Sequence, residues 1–369
     1  MSVIFDTRVA VNGKQIGVAT LSNEAALNAL TLVMAEQLYE QLLEWEEDPA
    51  IACVVLQGAG DKAFCAGGDI VSLHKSLCEH GEDLTQRYAE QFFELEYQLD
   101  YLIHSYTKPV LCWGHGIIMG GGLGLMAGAS HRVVTEKSRI AMPEITIGLF
   151  PDVGGSWFLN RMPGRVGLYL GLTGAHLNAA DALFVKLADF YLEHSEKSAL
   201  LDALLQVDWD DHYRHNHHKL SALLRQHRGR FPLPESPVRT HLDFINAITD
   251  FDSVEDIAAA LAFHQQEDAW IQRGAKALQA GSPTSAKVIF ETYQRATHMS
   301  LEEVFAMELG LAIQFCRHPD FREGVRALLI DKDNTPRWSP PTLADVSDAY
   351  VEEHFTPPWP EDQHPYRDW

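Results

Sequence analysis

Pro109-Val110-Leu111-Cys112-Trp113-Gly114-His115-Gly116-Ile117-Ile118-Met119-Gly120-Gly121-Gly122-Leu123-Gly124-Leu125-Met126-Ala127-Gly128-Ala129-Ser130-His131-Arg132-Val133-Val134-Thr135 is the stretch on which the fold class turns. Residues 109–113 form a short apolar run that reads as a buried strand. The triple glycine then opens a helix of small residues that runs to about Gly128. Residues 131–135 read as the next strand. Strands that are apolar throughout, rather than alternating, belong to a sheet covered on both faces. With helices between them, they define an α/β fold.

The same alternation extends toward the N-terminus. Residues 51–56 are a further β-branched run. Residues 31–47 carry Met34, Leu38 and Leu42 at a spacing of four, with Trp45 three further on, the pattern of an amphipathic helix. Residues 3–11 alternate and end at Asn12-Gly13, a two-residue hairpin signal, and residues 15–21 form the returning strand. A glycine-bearing loop covers 58–69, and 84–104 read as a long helix. After Gly154 the strand signals fade. Residues 165–330 read as mostly helical, with breaks at Thr173-Gly174 and Gly281-Ser282-Pro283 and a connector over 225–237. Seven prolines fall between Pro336 and Pro365. They predict an irregular tail over 336–369, anchored by Trp338, Trp359 and Trp369.

Composition excludes several classes of function. Lys plus Arg is 29 against 51 for Asp plus Glu, a formal net charge of -22. A surface this acidic repels nucleic acid and anionic lipid, so neither is expected as a partner. An anionic ligand would need its own local donors. The five cysteines, Cys53, Cys65, Cys78, Cys112 and Cys316, have no CxxC spacing, which argues against a disulfide framework or a zinc site. The N-terminal residues show no signal-peptide pattern, and no apolar run reaches the roughly 18 residues of a membrane span. A reducing, cytoplasmic location is expected.

Three segments carry candidate chemistry: Ala63-Phe64-Cys65-Ala66-Gly67-Gly68-Asp69-Ile70, the block from His115 to Gly122, and Met142-Pro143-Glu144 with Phe150-Pro151-Asp152-Val153-Gly154-Gly155. A triple glycine between strand and helix bares backbone N–H groups at a helix N-terminus, where negative charge is favoured. Gly67-Gly68 can supply a second donor, and two convergent donors make an oxyanion hole. Taken alone, the glycines favour the plainer reading, that they permit tight turns and close packing. Glu144 and Asp152 each adjoin a proline in apolar surroundings. Desolvation and a like-charged neighbour would raise their pKa values. An N-cap for Asp152 and a salt bridge for Glu144 are the ordinary alternatives. Gly122-x-Gly124-x-x-Ala127 matches a dinucleotide fingerprint but sits mid-chain, with no second three-strand half after it. The cluster His212, His215, His217 and His218 reads as a solvated helix face, and His115 as a turn or packing residue. Ser156 lacks the partners of a serine-hydrolase triad.

These motifs together resemble the enoyl-CoA hydratase/isomerase (crotonase) superfamily, and within it the 3-hydroxyisobutyryl-CoA hydrolase branch. The resemblance also takes in Asn28-Ala29-Leu30-Thr31, Ser282-Pro283-Thr284-Ser285, residues 318–327 and Leu329-Ile330-Asp331-Lys332-Asp333 with Trp338. It implies a crotonase-like (ClpP/crotonase) spiral of ββα units over 1–200, a mostly helical region over 201–335, and the tail. It implies hydrolysis of an acyl-CoA thioester, 3-hydroxyisobutyryl-CoA, in valine breakdown, with no metal or redox cofactor. By resemblance, the N–H groups of Gly68 and Gly121 hold the thioester carbonyl, and Glu144 acts as nucleophile or general base. Asp152 holds the substrate hydroxyl or the water, and Glu96 is a further substrate-site acid. Ala66, Gly67 and Ile70 would lie along CoA, with Lys62 as a phosphate contact. Relatives are often trimers or pairs of trimers. Hydratases of the superfamily place a second glutamate two residues after the triple glycine. Here that position is Gly124, which argues against hydration. The alternatives carried forward are an enoyl-CoA hydratase or isomerase, and a non-catalytic acyl-CoA-binding relative.

Overall fold

The computed structural model describes residues 2–79, 81–228, 232–263, 268–367 and 369. By contact the chain divides into two units that interleave along the sequence. Unit 1 holds Met1–Gly68, Gln98–Ile140 and Leu177–Ser236; unit 2 holds Asp69–Tyr97, Ala141–His176 and Pro237–Trp369.

Among the described residues unit 1 is built on nine strands: β1 (Ser2–Val9), β2 (Gln15–Ser22), β3 (Ile51–Gly58), β4 (Ala63–Cys65), β5 (Val110–Gly114), β6 (Ile117–Met119), β7 (His131–Val134), β8 (Arg139–Ala141, at the edge of the unit) and β9 (Phe190–Tyr191). Six lie in one sheet, in the order β1-β2-β3-β5-β7-β9. β1 and β2 pair antiparallel, with Val9 opposite Gln15 at the turn. The remaining pairs in that sheet are parallel. The turn is wider than the two-residue hairpin expected at Asn12-Gly13. Ala10 N–H donates to the Lys14 carbonyl at 2.8 Å, so residues 10–14 stand outside the ladder. Asn12 bonds away from the hairpin, donating from Nδ2 to the Trp209 carbonyl at 2.6 Å. A tertiary contact has overridden the local turn preference.

The second sheet holds β4, β6 and β8, in that order. It advances in step with β3, β5 and β7 of the first. Each long strand is followed by a short one, and the ββα units implied by the resemblance are present. The core on one face of the large sheet joins Ile16, Val18, Val55, Leu111, Trp113 and Val133 to Leu200, Leu204, Leu220 and Leu224 of the helices Lys197–Leu204 and Tyr213–Gln226. The helix Leu32–Glu47 is capped by Thr31, whose Oγ1 accepts the Met34 N–H at 3.2 Å. It buries Leu38, Leu42 and Trp45. A Cβ on Gly17 of β2 would stand 2.8 Å from the Trp45 ring, so only glycine lets this helix approach the sheet so closely.

Unit 2 is largely helical among its described residues. Its longest helix after residue 140 is Leu301–Arg317, opened by a Ser300/Glu303 capping box. Pro283–Arg295 is capped by Ser282 with Pro283 in its first turn. The proline-rich tail is more ordered than composition suggested. It holds the helix Asp348–His354. Trp338 Nε1 donates to the Ala280 carbonyl at 2.9 Å, and Trp369 stacks on Tyr366 with centroids 3.9 Å apart. Tyr366 in turn donates to the Glu94 carbonyl at 2.6 Å. Trp359 meets His364 within the tail at 5.4 Å. Of the connector over 225–237, residues 229–231 lie outside the described residues. The five cysteines are free thiols. Among the described residues no helix is long and apolar enough to cross a membrane.

Candidate active site

Glu144 follows Pro143 and opens the 3-10 turn Glu144–Ile147. The turn is clamped from several sides. Gly148 ends it at φ +71°, and a Cβ there would stand 2.3 Å from the Asp320 carbonyl oxygen. A Cβ on Gly324 would meet the Ile147 backbone at 2.4 Å. Ser282 N–H donates to the Ile145 carbonyl at 3.0 Å, and Ser282 Oγ to Asp320 Oδ2 at 2.6 Å. The two late motifs of the sequence, Ser282-Pro283-Thr284-Ser285 and His318-Pro319-Asp320-Phe321, therefore meet behind the glutamate.

Asp152 lies in the next turn. Val153 and Gly154 both have positive φ, +55° and +81°, a costly conformation for a β-branched valine. The turn is secured by Glu308 from the helix Leu301–Arg317. One of its oxygens accepts the Gly154 N–H at 2.7 Å, the other the Ser156 N–H at 2.9 Å. Asp152 Oδ2 accepts the Tyr97 hydroxyl at 2.7 Å. Tyr97 and Glu96 both come from the helix Gly81–Ser105.

Five carboxyls are thus buried among the described residues of unit 2: Asp320, bonded to Ser282, and the set Glu96, Glu144, Asp152 and Glu308. Burial, and after it the charge of Asp152, holds Glu144 well above the usual carboxylate range. The same causes, in the same order, raise Glu96. Burial pushes Asp152 up to about 6, while the Tyr97 hydroxyl pulls the other way. Burial pushes Glu308 up to about 8, against the hydrogen bonds from Ser156 and Gly154. Glu96 Oε1 and Glu144 Oε2 have no hydrogen-bond partner among the described residues. Unpaired buried oxygens on acids of raised pKa are suited to a ligand hydroxyl, a water or a reacting carbonyl. A cavity of about 990 Å³ in the same unit, lined by Leu261, Ile271, Leu278, Pro283 and Leu343 among others, takes in none of these four acids. Size alone does not mark the chemistry.

The glycine loops belong to unit 1. β4 and β6 run parallel, with Cys65 beside Ile118, so the loops leaving their ends lie side by side. Leu30 N–H donates to the Gly67 carbonyl at 2.8 Å, and Ala66 N–H to the Leu27 carbonyl at 3.1 Å. These bonds fix the loop that holds Gly68. Gly67 has φ +115°. A Cβ on Gly122 would stand 2.2 Å from the Cys65 carbonyl oxygen, so this glycine is required for packing. Gly121 begins the helix Gly121–Gly128, and an N–H in a first turn has no intrahelical acceptor. The packing reading of the triple glycine therefore holds at Gly122.

Of the residues singled out from sequence, unit 1 holds Lys62, Ala66, Gly67, Gly68 and Gly121; unit 2 holds Ile70, Glu96, Glu144 and Asp152. Lys62 is exposed and Ala66 half-buried, and Ile70 begins the helix Ile70–Glu79. Tyr97 and Glu308 were not anticipated. Glu308 had a readable signal, for it falls three residues after Phe305 and three before Leu311, on the apolar stripe of its helix. His115 is buried, with Nε2 2.9 Å from the Gly60 carbonyl and its ring 4.8 Å from that of His194, a packing role. In the histidine-rich stretch His215 pairs with Asp210 at 3.0 Å and His217 Nε2 lies 2.9 Å from the Thr107 carbonyl.

Comparison with known proteins agrees with this architecture. The family model described as Enoyl-CoA hydratase/isomerase matches residues 16–355. A Homo sapiens protein named 3-hydroxyisobutyryl-CoA hydrolase, mitochondrial, is 39% identical over 345 residues, covering 92% of this chain and 86% of that one. The Danio rerio protein of the same name is 40% identical over 343 residues, covering 92% and 87%. Among solved structures, a carnitinyl-CoA dehydratase from Mycobacterium thermoresistibile has a TM-score of 0.84 at 34% identity, covering 96% of this chain and 97% of its own. An enoyl-CoA hydratase from Rhodobacter sphaeroides 2.4.1 has a TM-score of 0.82 at 31% identity, with the same coverage. A family match over most of the chain, relatives of this identity over nine-tenths of it, and the stepped ββα architecture lead to one assignment: the chain belongs to the enoyl-CoA hydratase/isomerase family.

Proposed function

We propose that this protein is an acyl-CoA thioester hydrolase that converts 3-hydroxyisobutyryl-CoA and water to 3-hydroxyisobutyrate and CoA, a step of valine breakdown. The observation that carries the reading is the convergence of Glu144 and Asp152 in one buried acid cluster. Thioester hydrolysis needs one carboxylate to attack or to activate water. A 3-hydroxyacyl substrate offers a hydroxyl for the second. The relatives at 39–40% identity carry the name of this activity.

The roles follow from the resemblance and from the chemistry of the groups. The N–H groups of Gly68 and Gly121 take the carbonyl oxygen as it gains charge; removing one such donor typically costs roughly 3–4 kcal/mol of transition-state stabilisation. Glu144, once ionised, either attacks the carbonyl to give a transient anhydride, which water then cleaves to the free acid and the Glu144 carboxylate, or takes a proton from the attacking water. CoA leaves as thiolate and is protonated. Asp152 accepts the substrate hydroxyl, and Glu96 lines the acyl end. Ala66, Gly67 and Ile70 lie along CoA, and Lys62 meets its phosphates. The chemistry asks for no metal or redox cofactor.

Likeness to a carnitinyl-CoA dehydratase and an enoyl-CoA hydratase favours a second reading, hydration or dehydration of an enoyl-CoA. Gly124 opposes it, because hydration needs a second acid to place water and deliver a proton. A cytoplasmic location rests on cysteine usage, whereas the named relatives are called mitochondrial; fractionation of native cells decides it. A trimer or pair of trimers is the assembly to test by light scattering.

The deciding experiment is thiol release from 3-hydroxyisobutyryl-CoA by the wild type and by Glu144→Ala, with crotonyl-CoA absorbance in parallel. Release that collapses in the variant, without loss of the enoyl band, is expected. Loss of the enoyl band without thiol release would make the protein a hydratase. Acyl-CoA binding with neither reaction would make it a binding protein.

A further inference from the structure

We infer that Tyr97 is a positioning residue that orients Asp152 to accept the 3-hydroxyl of the acyl group. The inference rests on the hydrolase reading above and extends it to the question of how the acyl hydroxyl is selected.

The geometry is specific. Tyr97 is fully buried, and its ring centroid lies 5.8 Å from those of both Phe93 and Phe305. Rings on both contacts leave the phenol little freedom to turn. Its hydroxyl lies 2.7 Å from Asp152 Oδ2. A buried phenol must place its proton on an acceptor, and here that acceptor is the carboxylate. A carboxylate has several acceptor sites, so one hydroxyl fixes its orientation and leaves capacity for a ligand.

Asp152 differs in this from Glu96 and Glu144. Glu96 Oε1 and Glu144 Oε2 are buried with no partner among the described residues. The groups that face Asp152 are Tyr97 and Glu96 from the helix Gly81–Ser105, Glu144 from its own turn, and Glu308 and Cys316 from the helix Leu301–Arg317. All are neutral or negative. In such surroundings a donated hydroxyl favours the ionised form of the acid that receives it. Tyr97 thus directs the negative charge to Asp152 within a crowded set of acids. An anionic acceptor with a fixed orientation discriminates strongly for a hydroxylated substrate, since an acyl group without the hydroxyl leaves the buried acceptor unpaired.

The test is Tyr97→Phe, which keeps the ring and removes the hydroxyl. Hydrolysis of 3-hydroxyisobutyryl-CoA and of isobutyryl-CoA is measured for wild type, Tyr97→Phe, Asp152→Asn and the double variant, each across the acid-to-neutral range. In Tyr97→Phe the preference for the hydroxylated substrate, as a ratio of kcat/KM, is expected to fall by about tenfold or more, the size of a hydrogen bond to a charged group. The acid limb of the rate profile moves to higher pH. In the double variant, losing the phenol from Asp152→Asn costs little further preference, because the two residues act through one bond. An equal fall on both substrates would reduce Tyr97 to a structural role and overturn the inference, as would independent, multiplying losses in the double variant. Wild type that hydrolyses neither thioester would instead overturn the hydrolase reading on which the inference stands.

Discussion

Ser282 Oγ donates to Asp320 Oδ2 over 2.6 Å, and both residues are buried. Ser282 also caps the helix Pro283–Arg295 and holds the Ile145 carbonyl through its N–H, while Asp320 Oδ1 accepts the Ser339 N–H at 2.8 Å. One contact therefore ties a helix start, the tail and the turn of Glu144 together. Asp320→Ala leaves the Ser282 hydroxyl and the Ser339 N–H without this acceptor. Each such loss costs about 1–3 kcal/mol. Urea unfolding is expected to show destabilisation of that order, and residual activity to fall in kcat more than in KM as the Glu144 turn loosens. A variant with the wild-type midpoint and kcat would show that the contact holds nothing in place.

Glu308 gives a prediction about pH. Its folded pKa, about 8, lies above the ordinary glutamate value of 4.5. The folded state therefore keeps a proton that the unfolded state has released, and this group's contribution to stability falls as pH rises from the ordinary value toward 8. Glu308→Gln cannot titrate, and its amide can accept only one of the two N–H groups of Gly154 and Ser156. At low pH the variant is expected to be less stable than wild type by about 1–3 kcal/mol. The gap narrows as pH rises from 4.5 toward about 8 and levels off above it, where the wild type carries a buried anion. Thermal melts across this range decide it; a gap that widens with pH would mean that Glu308 folds already ionised.

The long strands were legible because a parallel strand buried on both faces has to be apolar throughout. Val110–Gly114 and Ile51–Gly58 are such strands. β4, β6 and β8 were not legible. Three residues are too few to show a period, and what makes Ala63–Cys65 a strand is its neighbour Ile117–Met119 rather than its own sequence. The interleaving of the two units is likewise a property of distant contacts, without a local signature. Glu144 and Asp152 stood out as acids beside prolines in apolar runs, a pattern that an N-cap or a salt bridge explains equally well, and it was the family resemblance that gave them roles. Tyr97 did not, since an aromatic on an amphipathic helix is ordinary core until its hydroxyl is seen to end on Asp152.

Gly122 tests the packing side of the glycine motif. Its missing Cβ would stand 2.2 Å from the carbonyl oxygen of Cys65 and 2.8 Å from the Cys65 Cβ. Backbone cannot move aside as a flexible side chain can, so Gly122→Ala must push the helix Gly121–Gly128 away from β4. Overpacking of this kind costs about 1–3 kcal/mol. It also shifts the Gly121 N–H relative to the strand pair. A lower melting temperature is expected, together with a loss of kcat that no increase in substrate restores. Unchanged melting and kcat would mean that the helix and β4 are not held at this distance in solution.

The pH dependence of hydrolysis tests the role of Glu144. Whether it attacks the thioester or takes a proton from water, it must be ionised to act. Burial, with Asp152 as a like-charged neighbour, holds its pKa well above 4.5. Burial pushes Asp152 up as well, to about 6, and its charge is the second of the causes that raise Glu144. Asp152 and Glu96 both act on Glu144 through charge, so kcat/KM is expected to rise with pH well beyond the ordinary carboxylate range, with a limb broader than a single ionisation gives. In Asp152→Asn the larger of the two repulsions, from Asp152 and Glu96, is gone, and the remaining limb moves to lower pH even though the rate falls. Glu144→Gln removes the limb along with roughly 10²- to 10⁴-fold of the rate, the usual share of a positioned acid or base. Stopped-flow thiol release across the pH range measures all three. A wild-type rate already flat from the ordinary carboxylate range upward would mean that Glu144 is fully ionised there and that burial does not govern its titration.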